Sequence, residues 1–218
     1  MAPLVKRLNL ARRVNTKDHT FPASLPGDYA TILIHTQPNL TGTGKKRPEL
    51  IEVPVGDGKP ETVLSFAKEH KELKASDVFK SGAYVDVHSI TRGQGFQGVV
   101  RKYGVGIRRH KSEKVKRGAV MGPEGYAKVT FESPLPGKIG YHTRTEFNKK
   151  IMLISSEPTN PKGGFVRYGI VKNDTVLIRG SIPGPKHQLV RLVQATRKNP
   201  KLTEEAPAIE YISVESQQ

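Results

Sequence analysis

The chain has 218 residues, 35% of them hydrophobic, with a formal net charge of +16, no cysteine and no tryptophan. The lack of cysteine excludes disulfides, cysteine-based zinc sites and thiol nucleophiles, and the lack of a long apolar run excludes a transmembrane helix or a signal peptide, which predicts a cytoplasmic protein. The excess of cations favours a polyanionic partner, nucleic acid before membrane, because binding to phosphates releases counterions.

The predicted elements, in chain order, begin with a strand at residues 29–36, a helix at residues 61–73 and a short helix capped by Ser76. Further short strands are expected between Gly, Pro and Asn-Asp turn signals, at residues 84–90, 128–132, 150–155, 165–168, 175–179 and 189–193. Many short strands separated by such turns indicate a mainly β fold, either a small barrel or a sandwich.

A glycine motif follows the strand predicted at residues 84–90, where Gly93, Gly95 and Gly98 form the pattern G-x-G-x-x-G. A dinucleotide site also needs a long helix after the glycines and an acidic residue about 20 positions later. Gly104 interrupts the segment that follows, and the chain then enters a block of cations, so this pattern does not favour a dinucleotide site. The glycines instead allow a sharp turn and a close approach of two backbones.

Positive charge is concentrated in residues 92–150, which contain 14 Lys or Arg and 4 Asp or Glu and so carry +10 of the formal charge. The densest part, residues 101–117, has too few apolar side chains to fold by itself in water. The charge pattern leaves two interpretations open: a solvated loop, or an arm that becomes ordered when it binds RNA.

Four motifs occur in a fixed order along the chain: FKSGAYVDVHSITRGQGFQGVVRK at residues 79–102, GYHTRTEFN at 140–148, PKGGFVRYG at 161–169 and GSIPGP at 180–185. Together they resemble the large-subunit ribosomal protein L-three family in its archaeal and eukaryotic form. The resemblance extends from about residue 28 to the C-terminus. It implies a closed six-stranded β-barrel of the translation-protein type, incomplete in this chain, with an α/β insertion and a long basic loop.

The resemblance also implies a division of the chain into segments. It places a basic N-terminal segment at residues 1–27, an α/β insertion at 28–78, a barrel body at 79–203 with an extended RNA-binding arm at about 104–146, and an acidic segment at 204–218. The net charge of −1 over residues 28–78, against +10 over residues 92–150, fits that division.

At three points the sequence departs from the family pattern, and these points limit which family features are expected in this chain. The section that begins the family's barrel is not in this sequence, and whether it is a separate polypeptide, a truncation or lost stays open. Gln94 stands where the family has a basic residue, so an amide hydrogen bond would replace one phosphate contact there. Glu124 follows Gly122 and Pro123 where the family has a tryptophan, and a carboxylate cannot stack on a base as an indole does.

The function that the resemblance implies is that of a structural constituent of the ribosome. The protein would bind large-subunit ribosomal RNA and neighbouring ribosomal proteins, support subunit assembly and brace the peptidyl-transferase region. We expect no enzymatic activity, no cofactor and no metal, since the sequence has none of the common catalytic motifs. The composition by itself leaves open a non-ribosomal RNA-binding chaperone, and the four ordered motifs favour the ribosomal role.

The candidate RNA-binding residues are cations for phosphates and amides for ribose or base edges. They are Arg92, Gln97, Arg101, Lys102, Arg108, Arg109, His110, Lys111, Lys114, Lys116, Arg117, His142, Arg144, Asn148, Lys149 and Lys186. For the two histidines the alternative is an ordinary surface or packed side chain. Tyr103, Tyr126 and Tyr141 are candidates for stacking on unpaired bases, with burial in the core as the alternative.

Overall fold

The regular elements are mostly strands, in a computed structural model that describes residues 24–25, 27–109, 111 and 131–216. Within those residues there are eight strands: β1 (Thr31–His35), β2 (Leu50–Pro54), β3 (Tyr84–Ile90), β4 (Phe96–Gln97), β5 (Gly137–Lys138), β6 (Thr143–Ser155), β7 (Thr175–Ile178) and β8 (Val190–Gln194). The three short α-helices are α1 (Pro60–Glu69), α2 (Ala75–Val78) and α3 (Val99–Tyr103), and a 3-10 turn covers Pro38–Leu40. The prediction of a mainly β fold is confirmed.

The chain divides into two compact units. The first contains the described part of residues 1–84, 150–179 and 199–218, and the second contains that of residues 85–149 and 180–198. The candidate RNA-binding residues that the structure describes all fall in the second unit.

In the first unit, β1 and β2 form a two-stranded antiparallel sheet in which Thr31 lies opposite Pro54 and His35 opposite Leu50. Side chains alternate between exposed and half-buried along β2 and, from Ile32 onward, along β1, as expected for a sheet covered on one face. Helix α1 starts with Pro60 in its first turn, where a missing N–H costs nothing. The helix ends at Glu69, earlier than predicted, because His70 leaves the helical backbone.

The larger sheet has the strand order β7-β6-β3-β8. Strand β3 is covered on both faces: Val85 and Val87 have no exposed surface, and Asp86 between them is 3% exposed. Strand β8 pairs antiparallel with β3, with Val85 opposite Gln194. The near-continuous burial of β3 makes it the framework on which the second unit is built.

The closed six-stranded barrel that the resemblance implied is not found in the described residues. They contain this four-stranded sheet and two separate two-stranded sheets, and β7 and β8 form the edges of the larger one. No helix in the described ranges has the length and apolarity needed to cross a membrane.

Four further local predictions are wrong in the described residues. Strand β6 begins at Thr143, whereas the prediction placed its start at residue 150. The first half of the strand was missed because it is polar and has no apolar pattern. Residues 165–168 form a turn, closed by a 2.9 Å hydrogen bond from the N–H of Phe165 to the carbonyl of Gly169. Helix α2 is preceded by Lys74, whose N–H donates to the Asp77 carboxylate at 2.9 Å, so Ser76 is not its cap. Of the strand predicted at 128–132, residues 128–130 lie outside the described part, and the last two residues form a turn.

Candidate nucleic-acid interface

Residues 91–97 and residues 137–142 form an irregular antiparallel ladder, which we call the stem. Both parts belong to the cation-rich stretch around residues 92–150. The N–H of Thr91 donates to the carbonyl of His142 at 2.9 Å, and the N–H of Ile139 donates to the carbonyl of Gly95 at 3.0 Å. Strands β4 and β5 continue the ladder, with Phe96 opposite Lys138. The stem therefore holds together the two ends of the segment that runs from residue 98 to 136.

A close backbone approach fixes the stem near its start. The N–H of Tyr141 donates to the carbonyl of Arg92 at 3.3 Å. Gly140 has φ +76°, and a Cβ there would overlap the carbonyl oxygen of Arg92. Only glycine satisfies both the backbone angle and the space at this position.

The glycine motif of residues 93–98 belongs to the stem. Gly95, with φ +68°, turns the chain into β4, and Gly98 precedes helix α3, which has only five residues and ends at Gly104 in the left-handed conformation. A helix of this length does not meet the requirement for a dinucleotide site. The sharp turn predicted for this glycine motif is present at Gly95. The predicted close backbone approach is not made by the motif glycines, since a Cβ at Gly95 or Gly98 would have nothing within 4 Å, and it occurs instead at Gly140.

Most of the predicted RNA-binding residues that the structure describes are exposed to solvent. Arg92, Arg101, Arg108, Arg109, Lys111, His142, Arg144 and Lys186 are exposed, and Lys102 and Lys149 are half-buried. Residues 91–111 contain no Asp or Glu. An exposed surface with this excess of cations suits a polyphosphate chain. His110, Lys114, Lys116 and Arg117 lie outside the described residues.

Arg92 has a structural contact as well as an exposed position. Its Nε donates to the carbonyl of Gly184 at 3.2 Å, which occupies one of the five N–H donors of the guanidinium. Gly184 also lies against β3, since a Cβ there would be 2.8 Å from the carbonyl oxygen of Ile90. The first and the fourth sequence motifs thus meet at the start of the stem.

Two of the predicted amides are engaged within the protein. Gln97 donates through Nε2 to the carbonyl of Gln94 at 2.6 Å. Asn148, with φ +55°, donates through Nδ2 to the carbonyl of Arg197 at 2.9 Å. Its Oδ1 is buried and has no hydrogen-bond partner within the described residues. These contacts give both amides a role in holding the backbone.

Asp86 is the buried charge that organises this part of the sheet. Its carboxylate accepts the N–H of Asn148 at 2.9 Å and both the N–H and the hydroxyl of Thr196 at 3.2 Å. Burial by itself would raise the pKa of Asp86, but these hydrogen bonds and the nearby His88 outweigh it and hold the pKa below the usual 3.8. Asp86 therefore stays ionised and ties β6 and the end of β8 to β3.

Lys149 is paired within its own strand. Its Nζ lies 2.6 Å from Oε2 of Glu146, and both side chains are partly exposed. Such a pair is worth little to stability in water, and the lysine can exchange the carboxylate for a phosphate. The described residues contain no group of three or more His, Asp or Glu side chains that could hold a metal ion.

The exposed aromatic side chains of the stem were only partly anticipated. Tyr141 and Phe96 are each 72% exposed, and Tyr103, in α3, is 51% exposed, so the alternative of burial in the core is wrong for Tyr103 and Tyr141. Tyr126 lies outside the described residues. Phe96 was missed, although an aromatic residue flanked by glycines in GQGFQG has few neighbours that could bury it.

Comparisons with known proteins agree with the motif pattern. The sequence model of the family described as Ribosomal protein L3 matches residues 27–218. The chain is 43% identical over 196 residues to the large ribosomal subunit protein uL3 of Methanobrevibacter smithii, covering 86% of this chain and 58% of that protein. It is 40% identical over 215 residues to the large ribosomal subunit protein uL3 of Nanoarchaeum equitans, covering 97% of this chain and 65% of that protein. It is 41% identical over 194 residues to the protein of the same name from Methanopyrus kandleri, covering 86% of this chain and 54% of that protein. The chain thus spans less than two thirds of the length of each of these relatives.

Proposed function

The chain belongs to the ribosomal protein L3 family, and on that premise we propose that it is a structural constituent of the large ribosomal subunit that binds ribosomal RNA. The observation that carries the proposal is the family match over residues 27–218, together with the exposed cations and the lack of acidic residues in residues 91–111. The three relatives named above carry the name of a large ribosomal subunit protein. The proposed location is the large subunit in the cytoplasm.

The proposed mechanism is electrostatic and geometric. Strand β3, with its buried valines and Asp86, fixes the stem, and the stem fixes the direction in which the basic segment leaves the sheet. The arm at about residues 104–146 then neutralises phosphates of RNA segments that must pack closely. In this proposal the arm supports subunit assembly and braces the peptidyl-transferase region, while the RNA performs the chemistry and the protein has no enzymatic role.

The finer architecture is also a proposal. Residues 28–78 are the α/β insertion, residues 79–203 are the barrel body, and the four-stranded sheet is part of a six-stranded barrel of the translation-protein type. The proposed partners are large-subunit RNA, neighbouring ribosomal proteins and the segment that carries the remaining length of the relatives, whether it belongs to the same polypeptide or to a separate one.

The other function considered from the sequence, a non-ribosomal RNA-binding chaperone, is not favoured, because it does not account for the family match over nearly the whole chain. The two functions predict different salt resistance of the protein's binding to large ribosomal subunits. A chaperone would leave large subunits when the salt concentration rises, because its affinity rests on released counterions. A subunit component packed into folded RNA would remain.

Reversing two adjacent exposed cations tests the proposal. We expect the double variant Arg108→Glu and Arg109→Glu to lower incorporation of the tagged full chain into large subunits by about tenfold or more, since each lost phosphate contact weakens binding. The measurement is co-sedimentation through a sucrose cushion, with circular dichroism as the control for folding.

The matched control is the reversal of Lys46 and Arg47, an exposed adjacent pair in the near-neutral segment of residues 28–78. We expect the control to incorporate like the wild type. Normal incorporation of the Arg108 and Arg109 variant, or an equal loss in the control, would contradict the proposed role of the arm.

A further inference from the structure

Tyr141 combines high exposure with an unfavourable backbone conformation. Its side chain is 72% exposed, and its φ of +58° places it in the left-handed region. This region is costly for a residue with a Cβ, and a bulky residue there is a genuine outlier. Neither property contributes to a packed core, so the position calls for another explanation.

The stem holds Tyr141 in place from both sides. Its N–H donates to the carbonyl of Arg92 at 3.3 Å, and the next residue, His142, is fixed by two hydrogen bonds to Thr91. Gly93 lies beside Tyr141 across the stem, where a Cβ would make an ordinary contact of 3.7 Å with the Cβ of Tyr141. The ring is therefore presented from a fixed backbone that leaves its surroundings open.

The charges around Tyr141 are positive. Arg92 lies across the stem, and Arg144 follows closely along the chain. Residues 133–145 contain no Asp or Glu. An exposed ring in a segment that carries cations and no carboxylate suits a single-stranded nucleotide, which offers a flat base and flanking phosphates.

We propose that Tyr141 is a stacking platform for an unpaired RNA base, with Arg92 and Arg144 binding the phosphates beside it. This inference rests on the proposed function and specifies the form of RNA at the stem. A base inside an A-form helix has both faces covered by its neighbours, so the platform needs a nucleotide that has left the stack. Phe96, equally exposed and paired across the stem with Lys138, provides a second platform for a neighbouring base.

Tyr211 shows what distinguishes this site from an ordinary exposed tyrosine. Its side chain is 75% exposed, close to the value for Tyr141, but it follows Glu210 directly and lies in the acidic segment of residues 204–218. Phosphates would be repelled there. Tyr211 is therefore the matched control for Tyr141.

The test compares binding of the full chain to a short single-stranded oligoadenylate and to a duplex RNA of equal length. The variant is Tyr141→Asn, because asparagine tolerates a positive φ and removes the ring without straining the backbone. We expect it to weaken binding to the single strand by roughly 5- to 100-fold. Binding to the duplex and the salt dependence of both should stay the same, and Tyr211→Asn should change neither.

Tyrosine fluorescence gives a second reading, since the chain has seven tyrosines and no tryptophan. Stacking should quench part of this signal in the wild type and in Tyr211→Asn, and less of it in Tyr141→Asn.

Tyr141→Phe should restore binding to the single strand. Equal affinity of Tyr141→Asn and the wild type for the single strand, or an equal loss for single strand and duplex, would overturn the inference. A wild-type chain that binds neither RNA would instead contradict the proposed function on which it rests.

Discussion

The backbone N–H of Asn148 donates a 2.9 Å hydrogen bond to Oδ1 of the buried Asp86, across 62 positions of sequence. The other carboxylate oxygen of Asp86 accepts the N–H and the hydroxyl of Thr196. The left-handed backbone of Asn148 is thus anchored to a charge in the most buried strand. This contact explains why the Asn148 side chain turns toward the protein backbone.

Replacing Asp86 with asparagine should destabilise the protein. One of the two oxygen acceptors would become an NH₂ donor, and the N–H group that faces it would lose its partner. We expect the free energy of unfolding at neutral pH to fall by about 1–3 kcal/mol, as measured by chemical denaturation. Asp57→Asn, a change at an exposed carboxylate, is the control and should leave it nearly unchanged. An equal stability of both variants would contradict the structural role of Asp86.

The Asp86 carboxylate should also make the free energy of unfolding depend on pH in the acidic range. Because the pKa of Asp86 is lower in the folded protein than its usual 3.8, its contribution is present above pH 3.8 and is lost as the pH falls through the folded-state value. Denaturation at a series of acidic pH values should show a steeper loss for the wild type than for Asp86→Asn. Parallel curves for the two proteins would mean that Asp86 does not titrate as described.

Replacing Gly140 with alanine should open the stem. The added Cβ would overlap the carbonyl oxygen of Arg92, and the positive φ of Gly140 would become strained, which together cost more than about 1 kcal/mol. Hydrogen exchange at the amides of Ile139 and Tyr141 should accelerate. Gly106→Ala is the control, since nothing lies within 4 Å of its Cβ position and its φ is not positive. Unchanged exchange in Gly140→Ala would show that the close approach does not hold the stem.

Local pattern predicted some elements well and could not predict the contacts between them. Strand β3 has the predicted bounds because its β-branched run is flanked by turn signals. The first half of β6 was missed because its partner in the sheet, not its own apolar content, makes it a strand. Gln97 and Asn148 were assigned to RNA from residue type alone. The partner of Asn148, Arg197, depends on long-range register, which a single sequence does not reveal. The partner of Gln97 is only three positions away, but its contact depends on the local turn of the backbone.

A single exposed cation beside the stem, Arg144 in β6, should contribute to the salt dependence of RNA binding. Arg144 is exposed, and its guanidinium contacts only the neighbouring carbonyl of Thr143 among the hydrogen bonds that the structure gives it. We expect Arg144→Ala to weaken binding to all RNA sequences alike and to reduce the slope of log K against log salt by about 1. Lys46→Ala should leave the slope unchanged. A slope that is the same in Arg144→Ala and the wild type would remove Arg144 from the phosphate contacts.

Residence in the large ribosomal subunit is best tested by quantifying the chain in subunits purified through sucrose gradients at raised salt. Mass spectrometry against other ribosomal proteins and the subunit RNA gives the molar ratio directly. We predict that the chain is equimolar with the RNA and stays so when the salt concentration is raised, because a component packed into folded RNA is not released with its counterions alone. Its absence from purified subunits, or its loss under salt at which the other proteins remain, would contradict the proposed function.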